Sequence, residues 1–244
     1  LGERMVGDID FIFSQQDYSK AITVLKDFGY AEVNKYHYYI PDDKHYRRLQ
    51  KDGRIAAIEI HAEILAAKKY RKYFNYNFVA KDCQLIEGIS VLSYANKLNL
   101  SIIANQINDH GFQYKTVPLR NAYDVFLLSK KTNAKAAVNT LDKLSHPLNC
   151  FLATCYDVFD NPSSLWYANN QKTTAYLISF QKQFSKPKTT KRKHKRIQLF
   201  LFIKFRFNII YKSVIYKEYR IWLYRRLSDK NWYKEKKIQL GFKK

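Results

Sequence analysis

Two carboxylates interrupt the apolar stretch GDIDFIF at residues 7–13. Successive side chains of a strand point to opposite faces, so Asp8 and Asp10 share one face and the intervening apolar residues share the other. Both carboxylates can therefore reach one divalent cation or a pair of them. Repulsion between the two acids calls for a counter-charge, although a solvated turn or strand edge is the alternative interpretation of this short motif.

A third acid occurs in a second strand-like segment, RIAAIEIHAEI, which begins at Arg54. Ile58 and Ile60 lie on its apolar face, whereas Glu59 and His61 lie on the opposite face. The segment is predicted to pair with the preceding HYRRLQ as a β-hairpin, because the Lys-Asp-Gly between them suits a tight turn. Two strands thus carry acids on a face that is not the core.

Three such carboxylates on one sheet can hold two divalent ions roughly 4 Å apart. In this interpretation Asp8 and Asp10 bind both ions, and Glu59 binds the ion at an acceptor hydroxyl and accepts its proton. The second ion holds phosphates and stabilises a leaving pyrophosphate. The chemistry predicted from these residues is phosphoryl-type transfer.

The periodicity predicts the elements that position these acids. SQQDYSKAITVLKDFGY has apolar residues at helical spacing and Gly29 at its end, which predicts an amphipathic helix packed on the sheet. From about Leu92 the pattern is helical, with Pro147 and Pro162 expected in connections. KPKTTKRKHKR, residues 186–196, is predicted to be an exposed linker, and the segment after it fits a strand in its middle and a helix further on.

The residues GERMVGDIDFIF, a helix ending in FGY, IEIHAEI and HGFQYKTVPLRNAYDVFLL together resemble the uncharacterised nucleotidyltransferase family NTP_transf_5 of the DNA polymerase β superfamily. The resemblance covers roughly residues 2–130. It implies an α+β fold, in which a small mixed β-sheet with helices on one face forms a polymerase β-like core, here N-terminally incomplete, followed by an α-helical subdomain. The implied domains are a catalytic core at 1–90, a helical subdomain at 91–185 and a C-terminal extension at 186–244.

The activity that the resemblance implies is Mg²⁺-dependent transfer of a nucleoside monophosphate from an NTP to a hydroxyl acceptor. By position, Asp8 and Asp10 match the paired metal acids of the family, and Glu59 matches its third acid. His61 matches the histidine that follows this acid and is expected to contribute to cofactor binding. His110 and Asp124 match positions in the helical part, where a structural hydrogen bond is the expected role.

One departure from the superfamily pattern concerns the triphosphate. Enzymes of this superfamily have a small Gly-Ser or Lys-Gly element just upstream of the DxD strand, where backbone N–H groups bind phosphate oxygens. Few residues precede Asp8, and the chain begins with Leu1. The expectation is that the chain is truncated; alternatively, Arg4, Arg47 and Arg48 bind the phosphates.

The composition bounds the remaining alternatives. The chain has 244 residues, is 46% hydrophobic and has a formal net charge of +22. The last 64 residues hold 21 Lys and Arg against 3 Asp and Glu, so the excess charge belongs to the C-terminal extension. An extension of this kind could bind nucleic acid or an anionic membrane surface. An A+T-rich coding sequence is the simpler explanation of its composition.

The cysteines and the absence of targeting or membrane-spanning patterns limit the kinds of protein that the sequence can encode. Three cysteines without zinc or disulfide spacing predict reduced thiols, and the absence of a signal sequence or an 18-residue apolar run predicts a cytoplasmic protein. Two alternatives to the nucleotidyltransferase remain. One is a non-catalytic basic module that binds nucleic acid or membrane, and the other is a glycosyltransferase that uses the DxD for a nucleotide sugar.

Overall fold

The computed structural model of the protein describes residues 7–33 and 40–239. The strands are β1 (Asp8–Ile12), β2 (Ala31–Glu32), β3 (Leu49–Gln50), β4 (Ala57–His61), β5 (Cys83–Ile86) and β6 (Ile89–Leu92). The helices are α1 (Tyr18–Asp27), α2 (Tyr76–Val79), α3 (Tyr94–Ile103), α4 (Gly111–Tyr114), α5 (Leu119–Ser129), α6 (Ala134–Asn139), α7 (Ser145–Val158), α8 (Gln171–Ser185), α9 (Pro187–Ile215), α10 (Lys217–Ser228) and α11 (Lys230–Gln239). The predicted α+β class is confirmed.

The main sheet is small and mixed, with the order β1-β4-β3-β2. β1 runs parallel to β4, whereas β3 pairs antiparallel with both β4 and β2. The predicted hairpin between β3 and β4 is confirmed, because the Arg54 N–H donates to the Lys51 carbonyl at 3.1 Å. Gly53 has a φ of +75° in this turn, a conformation that glycine adopts without a steric penalty.

α1 covers one face of the main sheet, as its amphipathic spacing predicts. Leu49, Ile58 and Ile60 form the buried centre of this face. Partly buried side chains pack around them, several from α1: Phe13, Tyr18, Ala21, Ile22, Leu25, Tyr30 and Tyr46. The helix ends at Asp27, and Gly29 forms the predicted left-handed cap: its φ is +84°, and the next N–H, that of Tyr30, donates to the Leu25 carbonyl at 3.0 Å.

A second sheet contains only the β5–β6 hairpin, which the sequence analysis did not predict. Its connection is the pair Glu87 and Gly88, with φ values of +50° and +79°. Two consecutive positive φ values are the signature of a type I′ turn, whose twist matches that of the paired strands. The short polar-apolar alternation of these strands was too weak to identify in the sequence.

The described residues divide into two compact units, one that falls within residues 1–62 and 198–244 and one of Glu63–Ile197, which we call the helical unit. The helical core of the second unit is built around α7, which contributes eight buried residues. Pro147, which was expected in a connection, instead lies in the first turn of α7. A proline is tolerated there because the first N–H groups of a helix have no intrahelical acceptor.

Within the helical unit, Asn108 binds the backbone of residues 64–66, which follow β4 in the chain. α3 continues into a π-helical turn, Ala104–Asn108, and at its end the Asn108 Oδ1 accepts from the Ala66 N–H at 3.0 Å. The Asn108 side-chain amide also donates to the Ile64 carbonyl at 3.2 Å. One side chain thus satisfies two backbone groups of the segment that leaves the main sheet.

The described residues from Pro187 to Gln239 are mainly helical and form α9, α10 and α11. Residues 186–196, predicted as a linker, mostly belong to the start of α9, and the strand-like alternation that follows is also helical. Proline at the first helical position explains the start of α9, because its φ is already helical and its missing N–H is not needed. Among the described residues, no helix combines the length and the apolarity needed to cross a membrane.

Candidate active site

The parallel pairing of β1 and β4 places Asp10 directly beside Glu59. The same register pairs Asp8 with Ala57 and Ile12 with His61. Paired residues on neighbouring strands are about 5 Å apart and point to the same face, so the acids of both strands converge on one patch. The structure thus brings together Asp8, Asp10, Glu59 and His61, all of which the sequence singled out.

The side chains of this patch differ in their access to water. Those of Glu59 and His61 are only 16% and 11% exposed, whereas that of Asp10 is 65% exposed. In the part of the chain that the structure describes, β4 is an interior strand of the sheet and β1 is an edge strand, which explains the difference. Glu59 and His61 are therefore shielded by the sheet, whereas Asp10 is accessible to solvent on the β1 side, where a ligand could enter.

His61 connects the two acids. Its Nε2 lies 3.0 Å from Asp10 Oδ1 and 3.7 Å from Glu59 Oε2. The hydrogen bond with His61 lowers the pKa of Asp10, and this effect outweighs the opposing effect of partial burial; the nearby charges of Lys44 and His45 lower it further. Asp10 is thus held as a carboxylate, the form that binds a cation.

The three side chains have the donor set and spacing of a metal site. The ligand atoms of Asp10, Glu59 and His61 all lie within 4.8 Å of one another. Two ligands of one ion at right angles are about 3.0 Å apart when each bond is about 2.1 Å, which the Asp10–His61 distance already matches. Two carboxylates and an imidazole therefore fit a single divalent ion.

Asp8 has a different partner, the guanidinium group of Arg48. The Arg48 Nη2 lies 2.7 Å from Asp8 Oδ2 and 3.1 Å from Glu59 Oε1, so one cation bridges the two acids. This contact is the counter-charge that two acids on one face require. Leu49 opposite Ile58 in the core implies Arg48 beside Glu59 on the other face, a register signal that the sequence analysis did not use.

Arg47, which was expected to bind phosphate, lies elsewhere in the same unit. Its guanidinium group pairs with Glu32, a residue that also accepts a hydrogen bond from the Tyr46 hydroxyl at 2.6 Å. Burial raises the pKa of Glu32, but the hydrogen bonds from Tyr46 and Arg47 outweigh this effect and lower it overall. Arg4 lies outside the described residues.

His45 is a neighbour of the cluster that the sequence analysis missed. Its ring centroid lies 5.1 Å from that of His61, and the two residues form an isolated antiparallel bridge. His45 Nδ1 lies 2.7 Å from the Tyr46 carbonyl, which fixes the ring orientation. His110 and Asp124 belong to the helical unit, where His110 adopts a left-handed φ of +59° just before α4.

The family model described as an uncharacterised nucleotidyltransferase, NTP_transf_5, matches residues 1–158. This match extends beyond the region in which the sequence resemblance was noted and includes all of the clustered side chains. No curated protein and no solved structure matches the chain.

Proposed function

Because the chain belongs to the uncharacterised nucleotidyltransferase family NTP_transf_5, we propose that it transfers a nucleoside monophosphate from an NTP to a hydroxyl acceptor. The observation that carries this proposal is the register of β1 and β4, which sets Asp10 beside Glu59 with His61 between their carboxylates. The family supports a nucleotide as the donor, in preference to the nucleotide sugar of a glycosyltransferase.

Asp10, Glu59 and His61 are the residues that would hold a divalent cation in this reaction. Such a cation supplies positive charge to the phosphate oxygens and acidifies an acceptor hydroxyl. Asp8 and Arg48 already form an ion pair at the edge of this group. A second ion at Asp8, as the sequence predicts, therefore requires the Arg48 guanidinium to move away from both carboxylates.

The chemical step is a substitution at the α-phosphorus of the NTP. The acceptor oxygen forms a bond to this phosphorus while the bond to the pyrophosphate oxygen breaks, and the hydroxyl proton passes to a base. We assign the base role to Glu59, whose carboxylate is held on an interior strand and shielded from bulk water. Arg48, once displaced from the acids, is placed to neutralise the triphosphate.

The presence of His61 bears on the choice of cation. Mg²⁺ strongly prefers oxygen ligands, whereas Mn²⁺ also accepts an imidazole nitrogen. A site with two carboxylates and one histidine can therefore use Mg²⁺ through its acids and bind Mn²⁺ more tightly through all three side chains. Mg²⁺ with an NTP remains the proposed working pair, and Mn²⁺ is the sharper probe of the site.

The test is calorimetric binding of each of the four common NTPs, with Mg²⁺ or Mn²⁺, to the full chain and to Asp10→Asn/Glu59→Gln. The expected result is metal-dependent binding of at least one NTP that this variant loses. Asp27→Asn is the matched control, because Asp27 is an exposed acid at the end of α1 in the same unit. Metal-independent binding, or equal binding by both variants, would contradict the proposal.

A further inference from the structure

One side of α9 carries a row of exposed apolar side chains in its C-terminal half. A helix turns by about 100° per residue, and on this basis six residues fall within an arc of about 100°. We name this set the apolar stripe: Leu199, Phe200, Ile203, Phe207, Ile210 and Val214. Each of the six is 43–73% exposed, so the stripe faces water along its whole length.

Outside the apolar stripe, α9 has two buried residues. Ile209 and Ser213 are buried there, at 3% and 9% exposure. Water-soluble surface helices normally point their apolar side inward and their polar side outward. Here the outward side is strongly apolar, which indicates a surface built to contact another phase or molecule.

Basic residues surround the apolar stripe. Lys204 and Arg206 lie just beyond its two edges, and their charged groups rest over Phe200 and Phe202, at 6.0 and 4.8 Å from the ring centroids. Long basic side chains at the border of an apolar strip can reach upward to anionic headgroups while the strip enters the lipid.

We propose that the apolar stripe binds an anionic membrane surface, with α9 lying in the interface between headgroups and acyl chains. The stripe is about 22 Å long, and the helix is not apolar enough to cross a bilayer. The inference is independent of the nucleotidyltransferase chemistry, since it uses no residue of the acid cluster. It gives the chain a location for that chemistry, at the surface of a membrane.

Nucleic acid is a less suitable partner for this surface. RNA and DNA binding rests on cations that contact phosphates and on aromatic rings that stack with bases. Within the apolar stripe no cation occurs, and four of its six residues are aliphatic and cannot stack. A phosphate backbone laid along this side of α9 would therefore desolvate without a partner.

A second copy of the chain is also disfavoured as the occupant. The last 64 residues carry 21 basic and 3 acidic residues, so two stripes in contact would bring two strongly positive segments together. Like charges oppose such an association at ordinary ionic strength. An anionic lipid surface turns the same charge into an attraction.

The test is flotation of the full chain with vesicles of phosphatidylcholine alone or with about 30 mol% phosphatidylglycerol. We expect binding to the anionic vesicles that weakens with salt. Phe200→Ser/Phe207→Ser should reduce this binding by about tenfold or more, because it removes two apolar anchors from the lipid. Both rings are over 60% exposed, so their loss leaves the helix folded, which circular dichroism checks.

The matched control is Phe202→Ser/Phe205→Ser, which removes two rings of similar exposure from α9 but outside the apolar stripe. This control should bind anionic vesicles like the unmodified chain. Equal binding by the stripe variant, or equal losses in both pairs, would overturn the proposal. The proposal would also be overturned if the chain bound RNA and not vesicles. It would likewise be overturned if the chain did not bind vesicles but associated with itself, and the stripe variant abolished that self-association.

Discussion

The main sheet and the helical unit differ in how many residues they bury. The buried centre of the sheet consists of Leu49, Ile58 and Ile60, and α1 itself has no fully buried residue. In the helical unit, α7 alone contributes eight buried residues. The sheet uses its second face for charged side chains, so it has less apolar surface to bury. This difference predicts that substitutions in the helical unit change stability, whereas substitutions on the sheet mainly change binding.

Replacement of a buried phenylalanine in the helical unit should have the largest effect on stability. Phe151 in α7 is 0% exposed, so Phe151→Ala is expected to lower the free energy of unfolding by about 4 kcal/mol through lost burial and a cavity. Phe11 of β1 is 39% exposed, and Phe11→Ala should cost about 1 kcal/mol. Denaturant titration measures both, and equal losses would contradict the contrast between the two regions.

The loss of stability at alkaline pH should come mainly from the helical unit. Burial raises the pKa of the Cys150 thiol from an ordinary value of 9.0 to about 11. The folded state therefore keeps a proton that the unfolded state loses, so stability is intact below pH 9 and declines as the pH rises towards 11. The decline due to this thiol is about 1.4 kcal/mol per pH unit between the two pKa values, or about 2.3 kcal/mol at pH 11.

Cys150→Ala should make this decline shallower without removing it, because burial raises the pKa of the Cys155 thiol even further, and unfolding measured at several pH values between 8 and 11 provides the slope. Cys83 is an exposed cysteine, so Cys83→Ala serves as the control and should leave the slope unchanged. An unaltered slope in Cys150→Ala would show that its thiol ionises as easily in the folded chain as in the unfolded one.

A smaller loss of stability is expected from a methyl group at Gly111. A Cβ added there would lie 2.8 Å from the Asn105 side-chain carbon, and Asn105 is buried and accepts a hydrogen bond from Gln106 at 2.7 Å. Gly111→Ala should therefore cost about 2 kcal/mol by overpacking. Gly7→Ala is the control on the sheet side, since nothing lies within 4 Å of its added Cβ. Equal melting temperatures for the two variants would refute the prediction.

The sequence predicted the sheet region better than the helical unit, for a physical reason. The alternation in β4 shows directly which residues face the core, and Gly29 and Gly53 mark the ends of α1 and of the hairpin. By contrast, α7 is apolar on nearly all sides, so its periodicity is weak and Pro147 suggested a break. A helix buried on all sides lacks the one-sided pattern by which surface helices are identified.

The acids and the histidine of the candidate site could be predicted from the sequence, but the ion pairs that arginines form there could not. Asp8, Asp10, Glu59 and His61 were identified from alternation and resemblance, and the structure places them on one patch. That Arg48 contacts Asp8 while Arg47 pairs with Glu32 depends on the register of β3, which two-residue strands hardly specify in sequence. The local alternation of residues predicts the face of the sheet on which a side chain lies, whereas the pairing of distant strands determines which side chain it contacts.

The smallest effect on stability, and the clearest effect on binding, is expected from Arg48. Its ion pairs with Asp8 and Glu59 are partly exposed to water, so Arg48→Gln should change the free energy of unfolding by less than about 1 kcal/mol. The same change removes a cation that competes with a metal ion for both carboxylates. Mn²⁺ affinity, measured by calorimetry or by loss of the free-ion electron paramagnetic resonance signal, should rise several-fold. Lys26→Gln is the control, because Lys26 pairs with Glu32 away from the acid cluster. Unchanged Mn²⁺ affinity in Arg48→Gln would mean that Asp8 and Glu59 do not act together on a cation. In that case the charged face of the sheet would not determine the effect of a substitution there, and the contrast with the helical unit would fail.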